Sequence, residues 1–434
     1  MNASVEIVVA PAGTVGYPFY ENLMKTRLMA LLILGSSTLI SAQRPPAAGD
    51  WPQWRGPNRD GSAPSFTVPK VWPEKLTQKW SVEVGLGYAS PVIVGDRVFI
   101  FTRRNDDEVL AALDAATGKQ IWIAQYPAPY TLVRAAAAHG MGPKGTPVFA
   151  DGRLFTFGIS GILSAFDAAS GKLLWQKPAP AAGPTFSTSQ SPLFDRGSLI
   201  AHVGGDKVGA LTAFDPATGD AKWKWEGDGP GYGSPIVAEI GGTRQIITLT
   251  FQNLVGVAAD TGQLLWKRAF RSRSDVNALT PLVSGSMVIV SGGDAGVLAV
   301  NVSKKGTEWV AEDAWHSDET FFQLSNLTIV RDALFGLSAE GMGRYVIIDL
   351  KTGKLVWSGE PRAAANAAFQ KAGDLLIVLE ADGEILIADG ANRTAFTPTH
   401  RYKVSEAATW AAPAISGNRL FVKDLTTLAL WTVD

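Results

Sequence analysis

The sequence predicts an all-β fold, an eight-bladed β-propeller of four-stranded antiparallel blades. Three observations carry this. An apolar segment led by proline recurs through the chain, and a D-x-x-T-G turn followed by tryptophan alternates with it. A tryptophan strand near the start also matches the last unit, which lacks its final strand.

The leading segment occurs as SPVIVGDRVFIFT at 90, TPVFADGRLFTFG at 146, SPLFDRGSLIAHVG at 191 and SPIVAEIGGTRQIITLT at 234. It continues as TPLVSGSMVIVSGG at 280, NLTIVRDALFGLSAE at 326, AFQKAGDLLIVLEADG at 368 and APAISGNRLFVKD at 412, with Leu327 and Phe369 replacing the proline in the sixth and seventh. Short apolar runs bounded by Gly, Pro and Asp turns read as strands.

The turn glycines stand at Gly118, Gly171, Gly219, Gly262, Gly306 and Gly353, 43 to 53 residues apart. Tryptophan follows four residues later at Trp122, Trp175, Trp223, Trp266 and Trp357, and three later at Trp309. In this turn the Asp side chain accepts from the backbone two residues on, and Gly supplies positive φ. The indole then offers a flat face to the next unit. Turns spread around a ring fasten blades; they do not converge on one ligand. Units of this period cannot bury both faces alone, so they stack.

The seventh unit has ILIADGANRTAF in place of the turn, and the eighth stops at LALWTVD. The stretch QKWSVEVG at 78–85 therefore supplies the expected closure: the Trp80 strand pairs with the C-terminal blade and removes the open edge.

Composition narrows the function. The 434 residues carry 39 basic and 40 acidic side chains with no basic block, which argues against nucleic acid or an anionic membrane as partner. Absence of cysteine excludes disulfides, Cys-ligated zinc, iron–sulfur clusters, thiolate catalysis and covalently attached haem. From Met24 the sequence MKTRLMALLILGSSTLISAQ has a basic start, an apolar stretch from Leu28 to Ile40 and small residues at Ser41 and Ala42. These are the parts of a secretory signal, with Met24 the expected initiator. The apolar stretch is shorter than the ~20 residues of a membrane span. No cysteine follows it to carry a lipid anchor. The expected organisation is a signal peptide over 1–42, an N-terminal arm over 43–76 and the propeller over 77–434, in a periplasmic or secreted protein.

ALDAATGKQIW and its copies resemble the repeat of pyrroloquinoline quinone (PQQ)-type, quinoprotein-like β-propellers, which also builds the BamB-like assembly proteins. DWPQWRGPNRDG at 50–61 resembles the opening of an exported branch of PQQ-like repeat proteins, as do GYGSPIVAEIGGTRQIITLT and WAAPAISGNRLFVKD. The resemblance covers about residues 50–434 and is specific for fold, not function. It implies eight blades with tryptophans docked between them. For the dehydrogenases it implies PQQ on the axis stacked on Trp, calcium among Glu, Asn and Asp, and an Asp base.

Residues three before each leading proline, or its equivalent, begin the innermost strands and should ring the axis. They are Tyr88, Lys144, Ser189, Tyr232, Ala278, Leu324, Asn366 and Trp410. None is a carboxylate, which makes the ring a poor calcium cage. Nearby loop acids are Asp275, Asp318, Glu319 and Glu406. The quinoprotein arrangement that the resemblance suggests takes Asp275 as base, Asn277 and Glu319 as calcium ligands, Trp410 as platform and Arg273 as PQQ partner. Arg273 with Asp275 is equally a solvated loop pair. Without a cofactor, the expected binding set at the mouth is Tyr88, His139, Lys144, Ser189, Tyr232, Asn366 and Trp410.

His139 precedes the second blade, where it could take an anion, act as a base or be structural. His202 reads as packed, and His316 and His400 as loop residues. The tryptophans and arginines of DWPQWRGPNRDG suit either a protein-contact hot spot or packing under the ring, and packing is favoured. The preferred reading is a non-catalytic exported binding or scaffold propeller, without a cofactor, engaging a protein through blade loops or a small ligand at the mouth. The rival is a PQQ- and calcium-dependent alcohol or sugar dehydrogenase.

Overall fold

A computed structural model of the chain describes residues 47–272 and 275–434. The expected leader and Arg273 lie outside the described residues, which belong to the compact unit spanning 42–434. They form eight four-stranded antiparallel sheets arranged as a β-propeller. From the inner strand outward, blades 1 to 7 span residues 92–127, 148–177, 193–225, 236–269, 282–317, 328–358 and 367–403. Blade 8 combines residues 414–432 with the early strand Thr77–Glu83.

Position in the blade explains the residue pattern. A second strand such as Arg97–Arg104 is covered on both faces, so Val98, Phe99, Ile100 and Phe101 are all buried. An outer strand such as Gln120–Pro127 alternates, turning Trp122 and Tyr126 inward while Ile121 and Ile123 face water. Apolar clusters fill the seams; that between blades 1 and 2 joins Phe99, Leu110 and Trp122 to Leu154 and Phe166.

Closure follows the predicted strand exchange. Thr77–Glu83 runs antiparallel to Thr427–Thr432, with Trp80 opposite Leu430 and Val82 opposite Leu428. Trp80 then docks on blade 1, its indole N–H donating to the Ala115 carbonyl at 3.2 Å. Four further indoles repeat the contact. Trp122 donates to Ala168 at 3.2 Å, Trp175 to Pro216 at 3.0 Å, Trp223 to Ala259 at 3.1 Å and Trp315 to Leu350 at 3.1 Å. Each acceptor lies in the turn of the following blade. The Asp of the turn accepts from the backbone two residues on, as expected, Asp215 Oδ1 from the Ala217 N–H at 2.8 Å, and also three residues on, Asp114 Oδ1 from the Thr117 N–H at 2.8 Å and its hydroxyl at 2.6 Å.

The turn glycine meets two demands. At Gly353 φ is +71°, and a Cβ there would lie 2.2 Å from the Trp315 ring. Gly353→Ala is therefore expected to destabilise the chain by about 2 kcal/mol through backbone strain and overpacking. Urea unfolding checks this, and an unchanged midpoint would contradict it.

Not every expected member of the series makes this contact. Trp309 is not the docking residue of blade 5, because the hairpin closed at Gly306 joins two long strands, Val297–Lys305 and Glu308–Ser317. That length carries Trp309 away to lie over Gly241, and Trp315 takes the docking role. Trp266, facing this hairpin, donates within its own blade to Gln245 Oε1 at 2.6 Å. His316 and His400 also differ from expectation: both stand on outer strands, Glu308–Ser317 and Pro398–Lys403.

The N-terminal arm does more than pack beneath the ring: it enters the axis. Trp51 exchanges backbone hydrogen bonds with Ile93 of blade 1, and Pro52 O accepts from Phe149 N of blade 2. Trp54 then donates to Thr280 Oγ1 of blade 5, Arg55 Nη2 to Leu327 O of blade 6 at 2.7 Å, and Arg59 to Ser191 O and Pro192 O of blade 3. The chain leaves beside blade 7, where Ala63 N donates to Lys371 O. Trp51, Arg55 and Arg59 are 1%, 2% and 3% exposed, so they are unavailable as a protein-contact hot spot.

Candidate functional site

The arm enters from the face where the inner strands end, and its tip, Trp54 and Arg55, stops level with their beginnings. The mouth above is thus a floored funnel. On its wall Trp410 of blade 8 meets His139 edge-on with ring centroids 4.8 Å apart, and Tyr88 lies 6.2 Å from Trp410 and 6.4 Å from His139. His139 ends a short 3-10 turn, Arg134–His139, in the connection between blades 1 and 2. Burial and the Lys144 charge push its pKa down, so the imidazole is neutral at pH 7.

Lys144 comes from the same connection. Its ammonium donates to Phe186 O at 3.2 Å and Ser187 Oγ at 2.9 Å, and burial lowers its pKa to about 8. Ser187 holds a φ of +82°, an unusual conformation for serine that aims its hydroxyl at Lys144. Neither Ser187 nor Arg55 was singled out for the mouth from the sequence. The pairing depends on strained backbone in one case and on threading of a distant segment in the other.

The remaining ring residues hold one another. Ser189 Oγ donates to Tyr232 O at 2.9 Å, and the Tyr232 hydroxyl donates to Asp206 Oδ1 at 3.3 Å. Asn366 Oδ1 accepts from the Ser325 hydroxyl, while Leu324 is half exposed.

Of the calcium–quinone arrangement, Asp275 and the Asn277 amide nitrogen have partners elsewhere, while Asn277 Oδ1 is buried without one. Asp275 pairs with Arg271 at 2.6 Å, and that guanidinium holds its carboxyl below the usual range, the opposite of what a general base at neutral pH needs. Asn277 is buried, with Nδ2 donating to the carbonyls of Thr250, Phe251 and Phe270 at 3.0 to 3.2 Å. Glu319 is exposed in a loop. The mouth instead presents Lys144, with Arg55 buried beneath it, and both cations would repel calcium. These residues do not fit a calcium-held cofactor. Among the described residues, the one trio of acids close enough to share a metal is Glu380, Asp382 and Glu384. Arg401 lies 3.6 Å from Glu380 and 3.2 Å from Glu384, and the Tyr345 hydroxyl donates to Glu380 at 2.6 Å.

His202 gives a pH-dependent stability prediction. It is fully buried, with Nε2 3.0 Å from Asp228 O, and burial lowers its pKa from 6.5 to about 4. The unfolded chain takes up this proton at higher pH than the folded one. The associated stability is present above pH 6.5 and is lost as pH falls through about 4, amounting to up to about 3 kcal/mol. His202→Asn should flatten the stability profile over this window, as read from urea midpoints; parallel profiles would contradict the assignment.

Eight closed blades with a plugged axis and a floored mouth define a β-propeller of the repeat type. The chain belongs to the PQQ-like repeat family: the family model described as outer membrane protein assembly factor BamB matches residues 71–144 and 106–333. The outer membrane protein assembly factor BamB of Burkholderia pseudomallei is 25% identical over 261 residues, covering 52% of this chain and 66% of that protein. Quinohemoprotein alcohol dehydrogenase ADH IIB of Pseudomonas putida is 30% identical over 179 residues, covering 40% of this chain and 24% of that protein. The matches thus span less than two thirds of these curated relatives. Among solved structures, BamB from Moraxella catarrhalis aligns with TM-score 0.58 at 18% identity over 82% of this chain and 97% of its own. Quinohemoprotein alcohol dehydrogenase from Comamonas testosteroni aligns with TM-score 0.60 at 15% identity over 89% and 80%. These structural likenesses concern the fold.

Proposed function

We propose that this protein is a non-catalytic binding propeller of the cell envelope, exported through its N-terminal leader, that receives a protein segment or small ligand at the channel mouth. The observation that carries this reading is the make-up of the mouth. It combines aromatic walls and two cations with no carboxylate among the eight ring positions, which suits recognition of a ligand better than the holding of calcium. The BamB description of the matching family model supports the same reading. A PQQ-dependent dehydrogenase is the second reading, favoured by the matches to quinohemoprotein alcohol dehydrogenases and by Trp410 at the mouth.

The expected result on adding PQQ and calcium to purified protein is no dye reduction with an alcohol or sugar. Saturable turnover would overturn the proposal. Photo-cross-linking from position 88 in living cells should trap a partner, and Trp410→Ala should weaken the cross-link.

A further inference from the structure

Between the tip of the plug and the mouth lies a cavity of about 40 Å³, lined among others by Trp54, Arg55, Asn326, Asn366, Gln370 and Trp410. Its wall is rich in donors. Arg55 Nη2 is spent on Leu327 O at 2.7 Å and Asp60 O at 3.2 Å, but the buried Nη1 has no hydrogen-bond partner. The side-chain oxygen of Asn366 is taken by the Ser325 hydroxyl, and that of Asn326 by the Thr280 N–H at 2.9 Å. What these two amides have left to offer is therefore NH2. Gln370 is oriented by its Nε2, which donates to Pro413 O at 3.4 Å, leaving Oε1 unpartnered.

The charge balance points the same way. The plug buries Arg55 and Arg59, while Asp60, its acid, is already bonded to Ser62 at 2.6 Å and lies 3.5 Å from Lys371. Burial lowers the Arg55 pKa to about 10, so the guanidinium stays charged at neutral pH. Asp60 offsets only part of the burial of Arg55, and a carboxylate arriving at Nη1 relieves the rest.

We infer that the mouth binds a small organic carboxylate head-first, its carboxylate on Arg55 Nη1 within the floor cavity and its apolar body against Trp410, His139 and Tyr88. The cavity suits a carboxylate head; a ring stays above it, where the aromatic walls stand. The ligand needs no metal. This inference rests on the proposed binding role and specifies the ligand chemistry for the small-molecule case.

Calorimetry on the purified chain with benzoate, acetate, benzamide and chloride tests it. Benzoate should bind saturably, acetate more weakly, and uncharged benzamide at least tenfold more weakly than benzoate. Arg55→Met should lower benzoate affinity at least tenfold, and Trp410→Ala should reduce benzoate to the level of acetate. If Arg55→Met does not fold, the benzoate-to-benzamide ratio and Trp410→Ala decide. Equal binding of benzoate and benzamide, or full benzoate affinity in a folded Arg55→Met, would overturn the inference; so would chloride binding as tightly as benzoate, which would make this a halide site. A partner cross-linked at the mouth without carboxylate binding would sink the inference alone, whereas turnover with PQQ would sink the proposed function.

Discussion

A chain beginning at Val84 is expected to lose cooperative folding altogether. That cut removes the strand Thr77–Glu83, which is the fourth strand of blade 8, and bares the edge of Thr427–Thr432. Phe421, buried against Trp80 with centroids 5.9 Å apart, loses its cover, as does the turn of blade 1 on which Trp80 docks. The same cut withdraws Trp51, Arg55 and Arg59 from the axis, so Ile93, Leu327, Ser191 and Pro192 lose partners together. An open sheet edge above an emptied core invites association between copies. Urea unfolding followed by tryptophan emission should show a broad, shallow transition, and gel filtration should show aggregates. A truncated chain that melts with the full-length midpoint would contradict this account of closure.

The second large effect is at Trp51. The indole is 1% exposed and lies over Gly56, where a Cβ would come within 3.0 Å of the ring. Trp51→Ala leaves the backbone bonds to Ile93 possible but empties the space beneath the first blade, at a cost of about 4 kcal/mol. The arm should loosen, exposing new proteolytic sites between residues 50 and 62. Urea midpoints and limited trypsin digestion, which reads Arg55 and Arg59, measure both consequences. Intact resistance at those arginines would show that the arm is held by its other contacts.

Much of this architecture was legible because local chemistry repeats. Short apolar runs, the Asp and Gly of the turn, and the following tryptophan all act within one hairpin or across one seam, so period and spacing reveal them. The exchanged strand was legible too, since Trp80 preceded a first unit while the last unit lacked its counterpart. Trp309 misled for a physical reason. Sequence spacing from a glycine does not disclose how far a hairpin extends, and five more paired residues on each side than in blade 1 move the docking position to Trp315. The plug was only half visible. DWPQWRGPNRDG is evidently rich in groups that want partners, but those of Trp54, Arg55 and Arg59 in the blades lie 132 to 272 residues away in sequence. For the mouth, ring positions followed from strand phase, which brought Tyr88, Lys144 and Trp410 into view. Ser187 and Arg55 required the tertiary fold.

The threaded arm also bears on mechanics. Tension on the segment before residue 47 would reach Trp51, whose backbone is bonded to Ile93, and then Arg59 in the axis. Only after those grips slipped would load pass to Thr77–Glu83. That strand starts opposite Thr432 and so would peel from the end, one bond after another, rather than shear all at once. Pulling from this side would thus meet an anchor first and a zipper second. The anchor would thus take load applied from the N-terminal side before the closing strand does.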